Sequence, residues 1–215
     1  MHHYQKQSMI HFQNYKKLYG KTEVIGITDC LLPHGIYWLK GANGTGKTTL
    51  MKSIAGLIPY SGTITVHNKD IRNQRTEYTT IVNYAEAEPL YPGFLTGNDI
   101  INFYAQTKKV SSQQIDTLSD TLGINTYKTN KVATYSSGMT KKLSLVTAFV
   151  GAPKLILLDE PLITLDINAV ATLQQLIATY HNAGVTFIIT SHQQLHITGC
   201  SVQELIIDNK TIVLP

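Results

Sequence analysis

Charge is scarce in this 215-residue sequence. Lys and Arg number 18 and Asp and Glu 14, so 15% of residues are charged against 43% hydrophobic. Folded domains usually carry about a quarter charged residues, and disordered chains combine high net charge with few apolar residues, so the balance excludes an intrinsically disordered chain. It also suggests a surface partly covered by partners. Cysteine is scarce too. Cys30 and Cys200 lie far apart and share no CxxC spacing. Reduced structural thiols and a cytoplasmic location are expected. Long apolar runs are missing: stretches such as Leu155-Ile156-Leu157-Leu158 fall far short of the about 20 residues a membrane span needs. The opening MHHYQKQSMIHF lacks the apolar segment of a secretory signal, and His2–His3 is not read as a metal site. Any membrane role must come through a partner. Basic blocks are also missing. The net charge is +4, but the lysines come in scattered pairs (Lys16–Lys17, Lys108–Lys109, Lys141–Lys142), which read as solvated faces and not as a nucleic-acid surface.

What is present is an alternation of strands and helices. At 215 residues the chain can bury a real core as one large domain or two small lobes. Tyr37-Trp38-Leu39 runs into a glycine-rich loop, and the stretch from Thr49 to Ile54 continues as a helix. Gly62 to Val66 and Ile81 to Tyr84 read as short strands. From about 94 to 150 the pattern turns helical. Thr96 is a candidate N-cap, and Ile115, Leu118 and Leu122 recur at helical spacing up to Gly123. Leu155 to Leu158 is a buried parallel strand closed by Asp159-Glu160-Pro161. Val170 to Tyr180 is an amphipathic helix, Val185 to Thr190 a second buried strand, and Leu205 to Leu214 a terminal hairpin around Asp208-Asn209-Lys210. The pattern predicts an α/β sheet core with an inserted helical lobe.

The strongest chemical signal is Gly41-Ala42-Asn43-Gly44-Thr45-Gly46-Lys47-Thr48, with Thr49 following. It matches the phosphate-binding loop G-x-x-x-x-G-K-S/T without a mismatch. The glycines let backbone N–H groups turn inward around phosphate oxygens, and the helix that follows adds the positive end of its dipole. Lys47 is placed to reach the β- and γ-phosphates and Thr48 to hold Mg²⁺. Such a loop needs an acidic element at the end of a neighbouring strand. Asp159 fits the metal role through water, and Glu160 the general base for an attacking water.

Tyr135-Ser136-Ser137-Gly138-Met139 lies between these two motifs. It resembles the signature segment of the ABC ATPases, in the Tyr-Ser-x-Gly-Met form. Further pieces fall in that family's order: Glu86 at the Q-loop position, Leu165-Asp166 at the D-loop, His192 at the switch histidine, and Tyr19 as the aromatic that stacks on adenine, with Tyr15 as a close competitor. The remaining histidines His11, His34, His67, His181 and His196 have no motif support. The resemblance runs from about Tyr19 to His192. It implies a single ABC ATPase domain over 1–215: a P-loop NTPase core with a parallel sheet and an antiparallel β lobe (about 1–88 and 150–215), and a helical signature lobe (about 89–149).

What the resemblance implies for function is an ATPase that binds ATP and Mg²⁺, works as a homodimer or heterodimer, and sits on the inner face of the cell membrane through a permease subunit. Ser136, Ser137 and Gly138 would contact the γ-phosphate held by a second copy, with Asp166 beside them. Glu86 would share the metal with Thr48 and Asp159. Three positions depart from the family pattern: Glu86 for glutamine, Ser137 for the first signature glycine, and Thr164 for the glycine before Leu165-Asp166. A non-transport ABC ATPase of DNA repair or translation is the alternative, disfavoured by a single cassette without a coiled-coil insert. A P-loop kinase or GTPase is disfavoured by the signature segment and His192. The short chain, the Tyr-Ser-x-Gly-Met form and Glu86 lean the reading toward export.

Overall fold

A computed structural model describes residues 9–214. Residues 1–8, with His2 and His3, and Pro215 lie outside the described residues. In chain order the elements are β1 (Ile10–Tyr19), β2 (Thr22–Leu32), β3 (Ile36–Lys40), α1 (Lys47–Ile54), β4 (Ser61–Val66), β5 (Lys69–Asp70), α2 (Arg75–Ile81) and β6 (Val82–Ala85). There follow α3 (Gly97–Lys108), α4 (Ser112–Thr121), α5 (Ser137–Phe149), β7 (Leu155–Leu158), α6 (Ile167–Asn182), β8 (Thr186–Thr190), β9 (Val202–Asp208) and β10 (Thr211–Val213).

Two sheets form. One is antiparallel, in the order β2-β1-β4-β5. The other runs β10-β9-β3-β8-β7-β6; its four pairings from β9 to β6 are all parallel, and only β10 joins antiparallel. The expected antiparallel and parallel sheets are both found. One detail differs from the sequence reading: the acidic strand β7 is not the neighbour of the phosphate-loop strand β3. Strand β8 lies between them.

β7 shows why its sequence is apolar throughout. Leu155 and Leu157 face one core, with α1 and the antiparallel sheet, while Ile156 and Leu158 face a second core shared with α3 to α6. A strand covered on both faces has no polar side to show. Burial of all four residues is complete.

The helical segment starts at a true capping box. Thr96 Oγ1 accepts from the Asp99 N–H, and the Asp99 carboxylate accepts from the Thr96 N–H. This satisfies two of the free donors at a helix start. Helix α2 was not expected. Its Arg-Thr-Glu-Tyr-Thr-Thr-Ile sequence is rich in β-branched residues of weak helix propensity. Tertiary contact overrides propensity: buried Tyr78 donates its hydroxyl to Ile54 O at 2.6 Å. Among the described residues no helix is long and apolar enough to cross a membrane.

Candidate active site

Parallel strands β3, β8 and β7 lie side by side and end on the same edge, so the loops leaving their carboxyl ends converge. Open parallel sheets place ligands at this edge. Three motifs far apart in sequence meet there.

The loop after β3 turns directly into α1, whose N-cap is Gly46 at φ 103°. That left-handed backbone suits glycine alone, and a Cβ there would also press on Val24 at 3.0 Å. The free N–H groups of the first turn of α1 therefore face the cleft. Lys47 Nζ donates to Gly41 O at 2.7 Å and Ala42 O at 3.1 Å, spanning the loop.

After β7, Asp159 is 2% exposed. One carboxylate oxygen accepts from the Thr190 hydroxyl at 2.6 Å and the other from the Tyr84 hydroxyl at 3.2 Å. Burial, with the negative charges of Asp159 and Glu86 adding to it, pushes the Tyr84 pKa far above its usual value, so this phenol stays a donor. Glu160 follows at φ 45°. A left-handed backbone costs a residue with a Cβ roughly 1–2 kcal/mol. The strained turn is held by the Glu160 N–H, which donates to Thr190 Oγ1 at 2.8 Å. The Glu160 carboxylate stands 3.6 Å from His192 Nε2, with the histidine 63% exposed and the glutamate 13%.

A cleft of about 480 Å³ is lined by Tyr19, Asn43, Gly44, Gly46, Lys47, Thr48, Thr49, Asp159, Glu160 and His192. Gly41 and Thr45 shape the loop behind it. Thr45 Oγ1 donates to Ala42 O at 2.9 Å. Tyr19 is 53% exposed at the cleft, with the Lys17 ammonium 4.6 Å from its ring centre. Tyr15 is fully buried and donates to Ser53 Oγ at 2.8 Å, which makes it a core residue.

Not every expected residue reaches the cleft. Glu86 points away: its carboxylate lies 3.5 Å from Lys52 Nζ on α1 and faces a separate groove, and Ala87 lines the cleft in its place. Ser136, Ser137, Gly138 and Asp166 line no part of it. They sit at exposed helix starts. Ser136 caps α5, accepting from the Met139 N–H at 3.2 Å. Asp166 caps α6, accepting from the Ala169 N–H at 2.8 Å, and pairs with Lys142 at 3.1 Å. The Ala169 N–H bond and Lys142 together lower the Asp166 pKa. Thr164 sits at φ 68°, and its carbonyl packs on Gly138 so closely that a Cβ there would lie 2.8 Å from Thr164 O.

Three contributors were not foreseen. Thr190 and Tyr84 grip Asp159. Lys141, on α5 and 2% exposed, donates to Glu86 O at 3.1 Å and to Ala87 O. Burial lowers the Lys141 pKa, against the attraction of Asp159, Glu160 and Glu88. A polar residue ending an apolar strand, as Thr190 ends Phe187-Ile188-Ile189, was the one signal available in the sequence.

Mg²⁺ fits the donors present. Thr48 and Asp159 offer hard oxygens in one cleft. That sparse set suits an ion bound by one or two protein oxygens together with substrate phosphates.

The ABC transporter family profile matches residues 27–163. The chain is 32% identical over 186 residues to the lantibiotic transport ATP-binding protein SrtF of Streptococcus pyogenes, covering 86% of this chain and 80% of that one. It is 31% identical over 189 residues to the bacitracin transport ATP-binding protein BcrA of Enterococcus faecalis, covering 86% and 61%. A solved structure described as an ATP-binding subunit of an ABC transporter superposes with a TM-score of 0.83 at 22% identity, over 95% of this chain and 88% of that one, which speaks for the fold. Both relatives are transport proteins, which supports transport over DNA repair or translation. A phosphate-binding loop, an acidic strand end and a histidine gathered at one sheet edge, in a chain matched by the family profile over more than half its length, lead to one conclusion: the protein belongs to the ABC transporter family, as an ATP-binding and ATP-hydrolysing subunit.

Proposed function

We propose that two ATPase subunits, two copies of this chain or one copy and a related chain, close face to face on two ATP molecules and pass the opening and closing to a permease, in the direction of export. Each ATP lies between the cleft of one subunit and the Ser136–Gly138 segment of the other. The reading treats about 89–149 as a lobe carrying that segment at the start of α5. It accounts for site residues that are exposed and absent from their own cleft.

In the cleft, Tyr19 stacks on adenine, and the N–H groups of Gly44 to Thr49 with Lys47 hold the phosphates. Thr48 and Asp159 would hold Mg²⁺, which when bound neutralises phosphate charge. Glu160 takes a proton from water as its oxygen attacks the γ-phosphorus; the bond to the β–γ bridging oxygen breaks and ADP leaves. Lys47 and His192 steady the charge that develops on the γ-phosphoryl oxygens. Glu86 lines a groove of about 550 Å³ with Tyr84, Leu90, Tyr91 and Phe103. We place the permease contact there, supported by the exposure of Leu90 at 93% and Phe103 at 65%. Export is supported by the Tyr-Ser-x-Gly-Met segment and Glu86.

The observation that carries the reading is Glu160. A glutamate in a strained left-handed turn, 3.6 Å from His192 and facing the phosphate loop, is held for a purpose other than stability. Glu160→Gln keeps size and hydrogen bonding but cannot accept the proton. ATP turnover is expected to fall about 10²- to 10⁴-fold, while ATP with Mg²⁺ drives the variant into a dimer on size-exclusion chromatography. Turnover near that of the unaltered protein removes Glu160 from the chemistry.

A further inference from the structure

We propose that Thr190 is a positioning residue for hydrolysis: its single hydroxyl holds the Asp159 carboxylate and the Glu160 backbone N–H at once. The proposal rests on the reading of Glu160 as the base.

The topology puts Thr190 where it can do this. Strand β8 separates β3 from β7, and the parallel register sets Leu39 beside Thr190 and Leu158 beside Ile189. Thr190 is therefore flanked by the strand that enters the phosphate loop and by the strand that ends in the acidic pair. It is fully buried, so no water competes for its hydroxyl. A backbone N–H can only donate, so the 2.8 Å bond from Glu160 N occupies a lone pair of Oγ1. The hydroxyl proton is then directed to Asp159 Oδ1, at 2.6 Å, a charge-assisted bond of short length. The chain of donors has one possible sense: Glu160 N–H to Thr190, Thr190 O–H to Asp159.

Two consequences follow for the chemistry. The bond to Glu160 N pins the backbone of a residue at φ 45°, a conformation a side-chain-bearing residue leaves when released. Its carboxylate then loses its aim at the water. The bond to Asp159, with the Tyr84 hydroxyl on the opposite oxygen at 3.2 Å, sets the plane of the carboxylate and so the lone pairs left for the cleft. Thr190 lies two residues before His192, so the strand end that carries the histidine also sets the base. Neither role requires Thr190 to touch ATP.

The test uses Thr190→Val, which keeps the shape and drops the hydroxyl, and Thr190→Ser, which keeps the hydroxyl. Steady-state ATPase rates, ATP affinity measured with a fluorescent nucleotide and thermal unfolding are recorded on the full chain. Thr190→Val is expected to lower kcat about 10- to 100-fold with KM for ATP moved less than about three-fold, and Thr190→Ser to recover to within about three-fold. Fluorescent nucleotide binding counts folded molecules, so a loss of rate per binding site is separated from a loss of fold. Should Thr190→Val yield no folded protein, Thr190→Ala and Thr190→Ser are compared in the same way. Added to Glu160→Gln, Thr190→Val is expected to slow turnover by a smaller factor than it slows the unaltered protein, because part of its effect runs through Glu160 and the rest through Asp159.

Equal rates per site in Thr190→Val and the unaltered protein overturn the proposal. So does an equal fall in Thr190→Ser and Thr190→Val, which would mean that the shape of the side chain matters and its hydroxyl does not. If Glu160→Gln alone keeps full turnover, it is the reading of Glu160 that fails.

Discussion

Asp159 is 2% exposed and held by two hydroxyls, whereas Ser136 and Asp166 stand in solvent at the starts of α5 and α6. The cleft half of the site hangs from three adjacent strand ends and is assembled by the sheet. The signature half is assembled by helix caps and by loop packing: Ser136 on Met139 N–H, Asp166 on Ala169 N–H, Lys142 on Asp166, and Thr164 O on Gly138. The first half is pointed inward at a defined volume. The second is exposed and lines no part of that cleft. In the proposed dimer these would be the two halves of one shared site, the cleft held by contacts between strand ends and the Ser136 segment by helix caps and its packing on Thr164.

The largest effect expected from this contrast is complementation. Ser136→Arg and Lys47→Ala, each assayed alone, are expected to lose turnover by about 100-fold or more. Mixed, they form one composite site with both intact halves, and part of the activity returns. Two inactive variants that stay inactive together would show a self-contained site and break the contrast.

Next in size is the separate loss of binding. Lys47→Ala removes charge-assisted hydrogen bonds worth about 1.5–3 kcal/mol, so ATP affinity should fall about 10- to 100-fold. Ser136→Arg should leave ATP affinity of the isolated chain nearly unchanged, because Ser136 lines no part of the cleft. Titration of each variant with a fluorescent nucleotide checks both, and equal losses would erase the distinction between the halves.

A smaller effect tests the packing of the signature half. Gly138→Ala puts a Cβ 2.8 Å from Thr164 O, a backbone atom that must shift. Overpacking of this kind costs about 1–3 kcal/mol of stability. ATP affinity should hold while turnover falls, and urea unfolding with a turnover assay reads both. A variant of full stability and rate would mean that the contact between Gly138 and Thr164 carries nothing.

The smallest effect concerns how α3 and α5 are fixed to the sheet. Lys108 on α3 donates to Thr79 O at 2.8 Å and to Asn83 Oδ1, while Asn83 Nδ2 donates to Ala148 O and Val150 O at the end of α5. Burial lowers the Lys108 pKa to about 8. An unfolded lysine titrates near about 10.4, so between these values the unfolded chain binds more protons than the folded one. Stability should therefore rise with pH from about 8 upward. Above about pH 10 the buried Tyr15 and Tyr37, pushed up to about 12, reverse the trend as unfolded tyrosines ionise first. Urea unfolding between about pH 7.5 and about pH 9.5 should show a flatter rise in Lys108→Met than in the unaltered protein. Identical slopes would remove Lys108 from the account.

Much of this was legible in the sequence. The phosphate loop is contiguous, so its glycines, Lys47 and Thr48 announce themselves. The strand Leu155 to Leu158 is apolar because it is covered on both faces, and Thr96 reads as an N-cap, to which the structure adds the return bond from Asp99. Other features were hidden for physical reasons. Helix α2 forms against its own propensities because Tyr78 is pinned to Ile54 O. The partner of Glu86 is Lys52, 34 residues earlier on a different element, and spacing cannot reveal such a pair.

By itself the sequence determined what is local: which loop can cradle phosphate, which strand must be buried, which residues cap the helices, and which acids follow a strand. Hydrogen-bond geometry and hydrophobic period act over a few residues, and a sequence records them directly. The tertiary structure alone decided strand order, and with it the insertion of β8 between β3 and β7. That order places the Thr190 hydroxyl between Asp159 and Glu160, while the packing of helices and loops turns Glu86 toward Lys52 and leaves Ser136 and Asp166 outside the cleft. Contacts between residues distant in sequence depend on how sheets and helices pack, which no single segment specifies.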